Sequence, residues 1–176
     1  MSRVRPLSLY LFGLPAGVST DAFEPVRTTM IEITGDIWDC LEGGIIVITT
    51  NGQLTANGRA VFGRGVARQA GERFPDLALR LGRHLAAGGN HVHYLGDSIV
   101  SFPVEDTPWS LPDLRLIARS TRELRELADL NGWQRVVVPR PGCGGGGLDW
   151  RDVRPLLATE LDDRFMIISS TVLPSP

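Results

Sequence analysis

At 176 residues the chain is long enough to bury a substantial core as one domain, and 43% hydrophobic with 22% charged residues is the balance of a soluble globular protein. A formal net charge of −2 excludes the basic field that tracks a nucleic-acid backbone, and no apolar run reaches the ~18 residues of a membrane span. All 18 basic residues are arginine, which excludes any mechanism resting on a lysine amine, and two cysteines, Cys40 and Cys143, are too few for a disulfide framework and suit a reducing cytoplasm.

Residues 1–28 have weak periodicity and carry Pro6, Pro15 and Pro25. They read as an N-terminal extension packed on a domain over residues 29–176, with one strand around Leu9 to Phe12. Leu7 to Leu14 is apolar behind Arg3 and Arg5, but Asp21 stands where secretory cleavage near Ala22 wants a small residue, so the segment is not read as a leader. The pattern predicts a strand over Met30–Thr34, turned by Gly35-Asp36-Ile37-Trp38, and a strand buried on both faces over Ile45–Ile48. A polar loop leads to a helix from about Ala60 to Phe74. Its apolar Phe62, Val66, Ala70 and Phe74 recur at helical spacing, with Gly63 and Gly65 inside the first turns.

Pro75-Asp76 starts a short helix that ends near Ala87. His91 to Phe102 reads as a hairpin turned at Gly96-Asp97 in type II′ geometry, and Phe102 to Pro108 as a loop. Ser110 with Asp113 resembles a capping box, and Leu114, Ile117, Thr121, Leu124 and Ala128 form the buried stripe of a long helix that Asn131-Gly132 ends. Val136 to Val138 is a strand stopped by Pro139. The last helix has two possible starts, a cap at Asp149 or one at Asp152, and Pro155 near the first turn fits the second better. Phe165 to Ser169 is the final strand. Alternating strands and helices predict an α/β fold with a largely parallel sheet and one antiparallel hairpin.

Five of the six residues Gly142 to Gly147 are glycine, with Cys143 the exception. A fixed glycine costs conformational entropy, so a cluster between a strand and Leu148-Asp149-Trp150 suits a backbone that something must approach closely. Strand, glycine loop and helix start together gather N–H donors around one anion, phosphate above all; the rival reading is a flexible surface loop. Cys143 could be a reactive thiol, but reads better as a small packing residue. His91 and His93 share a strand face without a third ligand, so no metal site is expected. Gly63-Arg64-Gly65-Val66-Ala67-Arg68 lacks the third glycine of a dinucleotide fingerprint, and no Lys-Ser/Thr follows the glycine loop as in a triphosphate loop.

Gly35-Asp36-Ile37 after a first strand, Thr49-Thr50-Asn51 after a second, Gly63-x-Gly65-Val66-Ala67 at a helix start, and Pro139-x-Pro141-Gly142-Cys143-Gly144 with Leu148-x-Trp150 closely resemble the macrodomain family over roughly Met30 to Ser169. The last loop is most similar to the branch containing terminal ADP-ribose protein glycohydrolase and the antitoxin enzymes that remove ADP-ribose from DNA. The resemblance implies a three-layer α/β/α sandwich with a mixed central sheet and ADP-ribose in a cleft at the strand ends. By the same resemblance, Asp36 would accept the adenine amino group, Ile37 would offer backbone contacts, and Asn51 would touch the distal ribose. Gly63, Gly65 and Val66 would form one diphosphate loop. Gly142, Cys143, Gly144, Gly145, Gly146, Gly147 and Leu148 would form the other, a Cβ at Gly145 or Gly146 projecting toward the diphosphate. Asp36 also reads as a turn cap and Asn51 as an ordinary turn residue.

The family's catalytic residues do not transfer. Where the nearest branch has a lysine after Phe-Pro, Phe102-Pro103 is followed by Val104-Glu105; the assisting aspartate falls at Gly146, and that of the other hydrolytic branch at Ala67. The remaining catalytic candidates are Asn51, Glu105 and Asp106, with Asp149 also acidic and near the cleft; each carboxylate also reads as a solvated loop charge or a cap. The expected function is binding of ADP-ribose, with hydrolysis of ADP-ribosyl modifications on acidic side chains or nucleic-acid ends, without a cofactor. The alternatives are a non-catalytic ADP-ribose reader and a deacetylase of O-acetyl-ADP-ribose. The expected partner is ADP-ribose or an ADP-ribosylated macromolecule.

Overall fold

The computed structural model describes residues 28–170. The proposed N-terminal extension, its strand around Leu9 to Phe12 and all but the end of its boundary lie outside the described residues. Six strands form one sheet in the order β1-β6-β5-β2-β4-β3: β1 is Ile31–Thr34, β2 Ile45–Asn51, β3 His93–Gly96, β4 Ile99–Glu105, β5 Val136–Pro139 and β6 Phe165–Ser169. Every pairing is parallel except β3 with β4. Four helices cover it: α1 (Gly65–Arg73), α2 (Leu77–Gly88), α3 (Leu114–Asn131) and α4 (Trp150–Ala158).

Strand alternation explains why the apolar runs are continuous. Ile46 and Ile48 join Ile99, Val137 and Ile168 in one core with Ala70, Leu77 and Leu81 of α1 and α2. Val47 points the other way, joining Phe102, Val138 and Phe165 in a second core with Ile117, Leu124 and Leu157 of α3 and α4. Both faces are covered, as a parallel sheet requires, and the result is the three-layer α/β/α arrangement. No described helix is long and apolar enough to cross a membrane.

Six local expectations are corrected. α1 begins at Gly65, not Ala60: Ala60 instead bridges to Leu54 and gives its N–H to the Ala78 carbonyl at 2.8 Å. β4 continues to Glu105 through the segment read as a loop, because Thr49 and Thr50 pair with Phe102 and Pro103. Pro103 removes a ladder donor, and the register slips beside it, so that Asn51 faces Glu105. The hairpin turns on Asp97 (φ 51) and Ser98 (φ 60), both left-handed as a type I′ turn needs. α3 is capped by the Asp113 carboxylate, which accepts from Arg115 N at 2.7 Å, while the Ser110 hydroxyl lies against Thr107; Leu114 is 39% exposed, outside the buried stripe. α4 starts at the Asp149 cap and carries Pro155 in its interior.

The loop after β2 is seated on α2 at Gly82, where a Cβ would stand 2.0 Å from the Gly58 carbonyl oxygen. Backbone cannot yield there as a side chain can. Gly82→Ala is therefore expected to cost about 1–3 kcal/mol by overpacking, read as a lower denaturant midpoint with an unchanged slope. An unchanged midpoint would show that the loop floats free of α2.

Candidate functional site

The chain leaves β2 for the α1 face of the sheet, but leaves β4 and β5 for the α3 and α4 face. Connections that diverge beside β2 open a crevice at the carboxyl ends of the strands, the usual ligand position in such sheets. A cleft of ≈ 520 Å³ lies there. Its floor is made by strand ends, Thr49, Asn51, Glu105 and Pro139; one wall is Gly63 to Ala67, and the other includes Gly142 and Gly144 to Gly146.

Both walls offer unused donors. Arg64, the residue before α1, is extended and makes no side-chain cap. Among the described residues the N–H groups of Gly65, Val66 and Ala67 therefore meet no acceptor, and the first backbone bond of the helix start runs from Arg68 N to Arg64 O. Across the cleft, the glycine loop closes on itself through Cys143 N to Arg140 O at 3.3 Å, Gly147 N to Gly144 O at 3.1 Å and Leu148 N to Gly142 O at 3.0 Å. The N–H groups of Gly144, Gly145 and Gly146 are left without acceptors among the described residues. A helix start carries about half a positive charge, and the facing amides add to it. The arrangement can hold an anion with two ends.

Each glycine has its own reason. Gly142 has φ +72, and a Cβ there would meet Leu148 Cδ1 at 2.8 Å. At Gly146 a Cβ would strike Pro112 Cγ at 2.5 Å and the Gly142 carbonyl oxygen at 2.6 Å, atoms of two residues that themselves line the cleft. At Gly145 it would meet only the Arg64 side chain, at 2.8 Å from Cδ.

The other expected residues divide. Asn51 is 5% exposed and spans the floor: its Nδ2 donates to the Val61 carbonyl at 3.1 Å and its Oδ1 accepts from Gln53 N at 3.0 Å. It clamps the loop that delivers α1. Asp36 caps the short 3₁₀ turn Ile37–Cys40 by accepting from Trp38 N at 2.9 Å, and neither it nor Ile37, a 5% exposed core residue, lines the cleft. Cys143 packs against the core beneath the loop, with burial pushing its thiol pKa up, away from reactivity. Gly147 and Leu148 close the loop without lining the cleft. Asp106 is exposed and faces Asn90 at 3.4 Å. Asp149 caps α4 and is held down to about 2 by hydrogen bonds from Arg151.

Glu105 is different. It is not a solvated loop charge: it ends β4, is 8% exposed and lines the cleft. Burial raises its pKa, and the Arg64 guanidinium at 3.7 Å only partly opposes this. Sequence reasoning passed over Arg64, Arg140 and Trp109. Arg64 reaches across to Gly145 and Glu105; Arg140 lines the cleft, pairs with Glu32 at 3.2 Å and lies over the Trp150 ring; Trp109 is 83% exposed on the rim. The one long side chain in Gly63-Arg64-Gly65 could have marked Arg64.

No protein-family model matches the chain, and no curated protein does. Solved structures do. The macrodomain of Mycobacterium tuberculosis DarG superposes with TM-score 0.66 and 23% identity, over 80% of this chain and 97% of that one. The macrodomain of Thermus aquaticus DarG gives 0.65 and 19%, with the same coverage. Thermosipho africanus DarTG in complex with ADP-ribose gives 0.65 and 22%, over 84% of this chain and 44% of that longer one. The fold is that of the macrodomains.

The glycine geometry separates two variants. Gly146→Ala should lose about 1–3 kcal/mol of stability, because Pro112 and a backbone carbonyl must move. Gly145→Ala should unfold near the wild-type midpoint, since only the tip of Arg64 must shift. Equal midpoints for the two variants in chemical denaturation would contradict this loop conformation.

Proposed function

We propose that this chain of macrodomain fold binds ADP-ribose through its diphosphate and hydrolyses ADP-ribosyl esters. The observation that carries the binding half is that Gly65 to Ala67 and Gly144 to Gly146 both line the cleft with N–H groups that meet no acceptor among the described residues. Neutral N–H groups bind the diphosphate, so a chain of net charge −2 can hold it. The structural neighbour described in complex with ADP-ribose supports the choice of ligand.

Further contacts extend the ligand beyond the cleft lining, which includes neither Asp36 nor Ile37. Asp36 commits one oxygen to Trp38 N; in this reading the other accepts the adenine amino group beside the Ile37 backbone. Asn51 acts as a clamp that sets the spacing of the walls and presents its edge to the distal ribose. Cys143, Gly147 and Leu148 shape the second phosphate loop from beneath.

The chemistry follows from which groups line the cleft. Among the described residues its charged side chains are Arg64, Arg140 and Glu105, so one carboxylate, with a pKa that burial raises, is the proton acceptor they offer. Glycosides of alcohols and amines need both a base and an acid for the leaving group. A carboxylate or terminal phosphate leaves without a proton. ADP-ribosyl esters on acidic side chains or on nucleic-acid ends therefore suit this lining best.

Calorimetry should show one site for ADP-ribose and weaker binding of AMP, which lacks the second phosphate; equal affinities would remove the case for a diphosphate cradle. Asp36→Ala deletes a charge-assisted hydrogen bond of about 1.5–3 kcal/mol, a loss of about 10–150-fold in affinity. Normal binding by that variant would leave Asp36 as a turn cap alone.

A further inference from the structure

We infer that Glu105 is the general base of the cleft, its carboxylate taking a proton from the water that attacks the anomeric carbon of an ADP-ribosyl ester, with Arg64 as its mobile counter-charge. The inference rests on the reading of the cleft as an ADP-ribosyl site. In the step, the water oxygen bonds to the anomeric carbon as the bond from that carbon to the ester oxygen breaks. The leaving carboxylate departs with the bonding pair. The water proton passes to Glu105 and then to solvent, and ADP-ribose leaves with a new hydroxyl; one water is consumed.

Three observations carry this. The slip between β2 and β4 sets Glu105 beside Asn51 at the floor of the cleft. Glu105 is 8% exposed, yet its carboxylate accepts no hydrogen bond among the described residues and its oxygens stay open to the cleft. Its charged partner, Arg64, stands 3.7 Å away on a side chain that is 56% exposed, too loose for a structural ion pair. The neighbouring Asp106 faces Asn90, and Arg140 across the cleft is engaged by Glu32. A carboxylate that opens to the cleft without a hydrogen bond repels an anion bound next to it. A protein that only bound ADP-ribose would do better without it. A base needs this environment, because desolvation strengthens a carboxylate toward a proton.

The test uses a peptide carrying ADP-ribose ester-linked to a glutamate, with ADP-ribose titration and unfolding measured on the same samples. Glu105→Gln should lower kcat by about 10²–10⁴-fold, while ADP-ribose binds at least as tightly and the protein unfolds no earlier. Glu105→Asp, which withdraws the charge by one methylene, should lower kcat with the same binding. In the wild type, activity should fall as pH drops through the Glu105 pKa, because the protonated form is no base. Arg64→Gln removes the cation that favours ionisation, so the same fall should move to higher pH. Undiminished turnover by Glu105→Gln would overturn the assignment. So would joint loss of binding, stability and turnover, the mark of a structural residue, or an unmoved pH profile in Arg64→Gln. A wild type that binds ADP-ribose without releasing it from the peptide refutes the base and the hydrolytic half of the proposed function, and leaves the ligand reading standing. One that does not bind ADP-ribose refutes the ligand reading beneath it.

Discussion

Backbone N–H groups must find partners, and among the described residues two rows of them lie at a cleft without one. Gly65 to Ala67 lack acceptors because a helix start always leaves its first donors free and Arg64 does not cap them. Gly144 to Gly146 lack them because the loop closes through its outer residues instead. Much of the surrounding structure holds these rows apart at a fixed spacing. Asn51 ties the loop before α1 to the end of β2, Gly82 seats that loop on α2, and Leu148 props Gly142 from below. A dry filling of the cleft would leave those donors desolvated and unpaired, which is costly. Only water or an anion can satisfy both walls.

The elements legible from sequence were those in which one physical demand dominated. Ile45 to Ile48 and Val136 to Val138 are buried on both faces, and continuous apolar runs report that directly. α3 is amphipathic and ends at Gly132 in the left-handed conformation, so stripe and terminator agreed. Where two demands competed, the reading slipped. Phe62 and Val66 sit at helical spacing, which drew the start of α1 back across Gly63, although Ala60 belongs to a bridge and Val61 to a backbone bond with Gln53. Pro103 reads as a strand breaker, yet β4 absorbs it by a slip in register. Pro155 reads as a first-turn residue, yet lies inside α4 because Asp149 had already begun the helix.

The site was legible in the same uneven way. Glycines announce close approach, so both walls of the cleft were visible as letters. Glu105 stood only as one acid among several candidates, because its burial is made by segments distant in sequence and its own neighbours, Asp106 and Thr107, have loop composition. Arg64 needed the fold to meet Glu105 and Gly145. Nor could sequence show that Gly145 and Gly146 differ, since the direction of a missing Cβ depends on loop geometry alone. A carboxylate left without a hydrogen bond in the floor is the kind of local inconsistency that concentrates at functional sites.

The slip in β4 has a consequence for how such a site is inherited. Val104 belongs to the α3-side core while Glu105 stands opposite Asn51, an alignment that exists because β4 has one residue more than β2 between paired positions. Side chains alternate across a strand, so removing that residue would turn the carboxylate to the opposite face of the sheet. Every letter of the motif could survive and the cleft would still lose its acid. The chemistry of this floor is thus written in the length of a strand, a property that residue-by-residue substitution leaves untouched and a single-codon deletion erases.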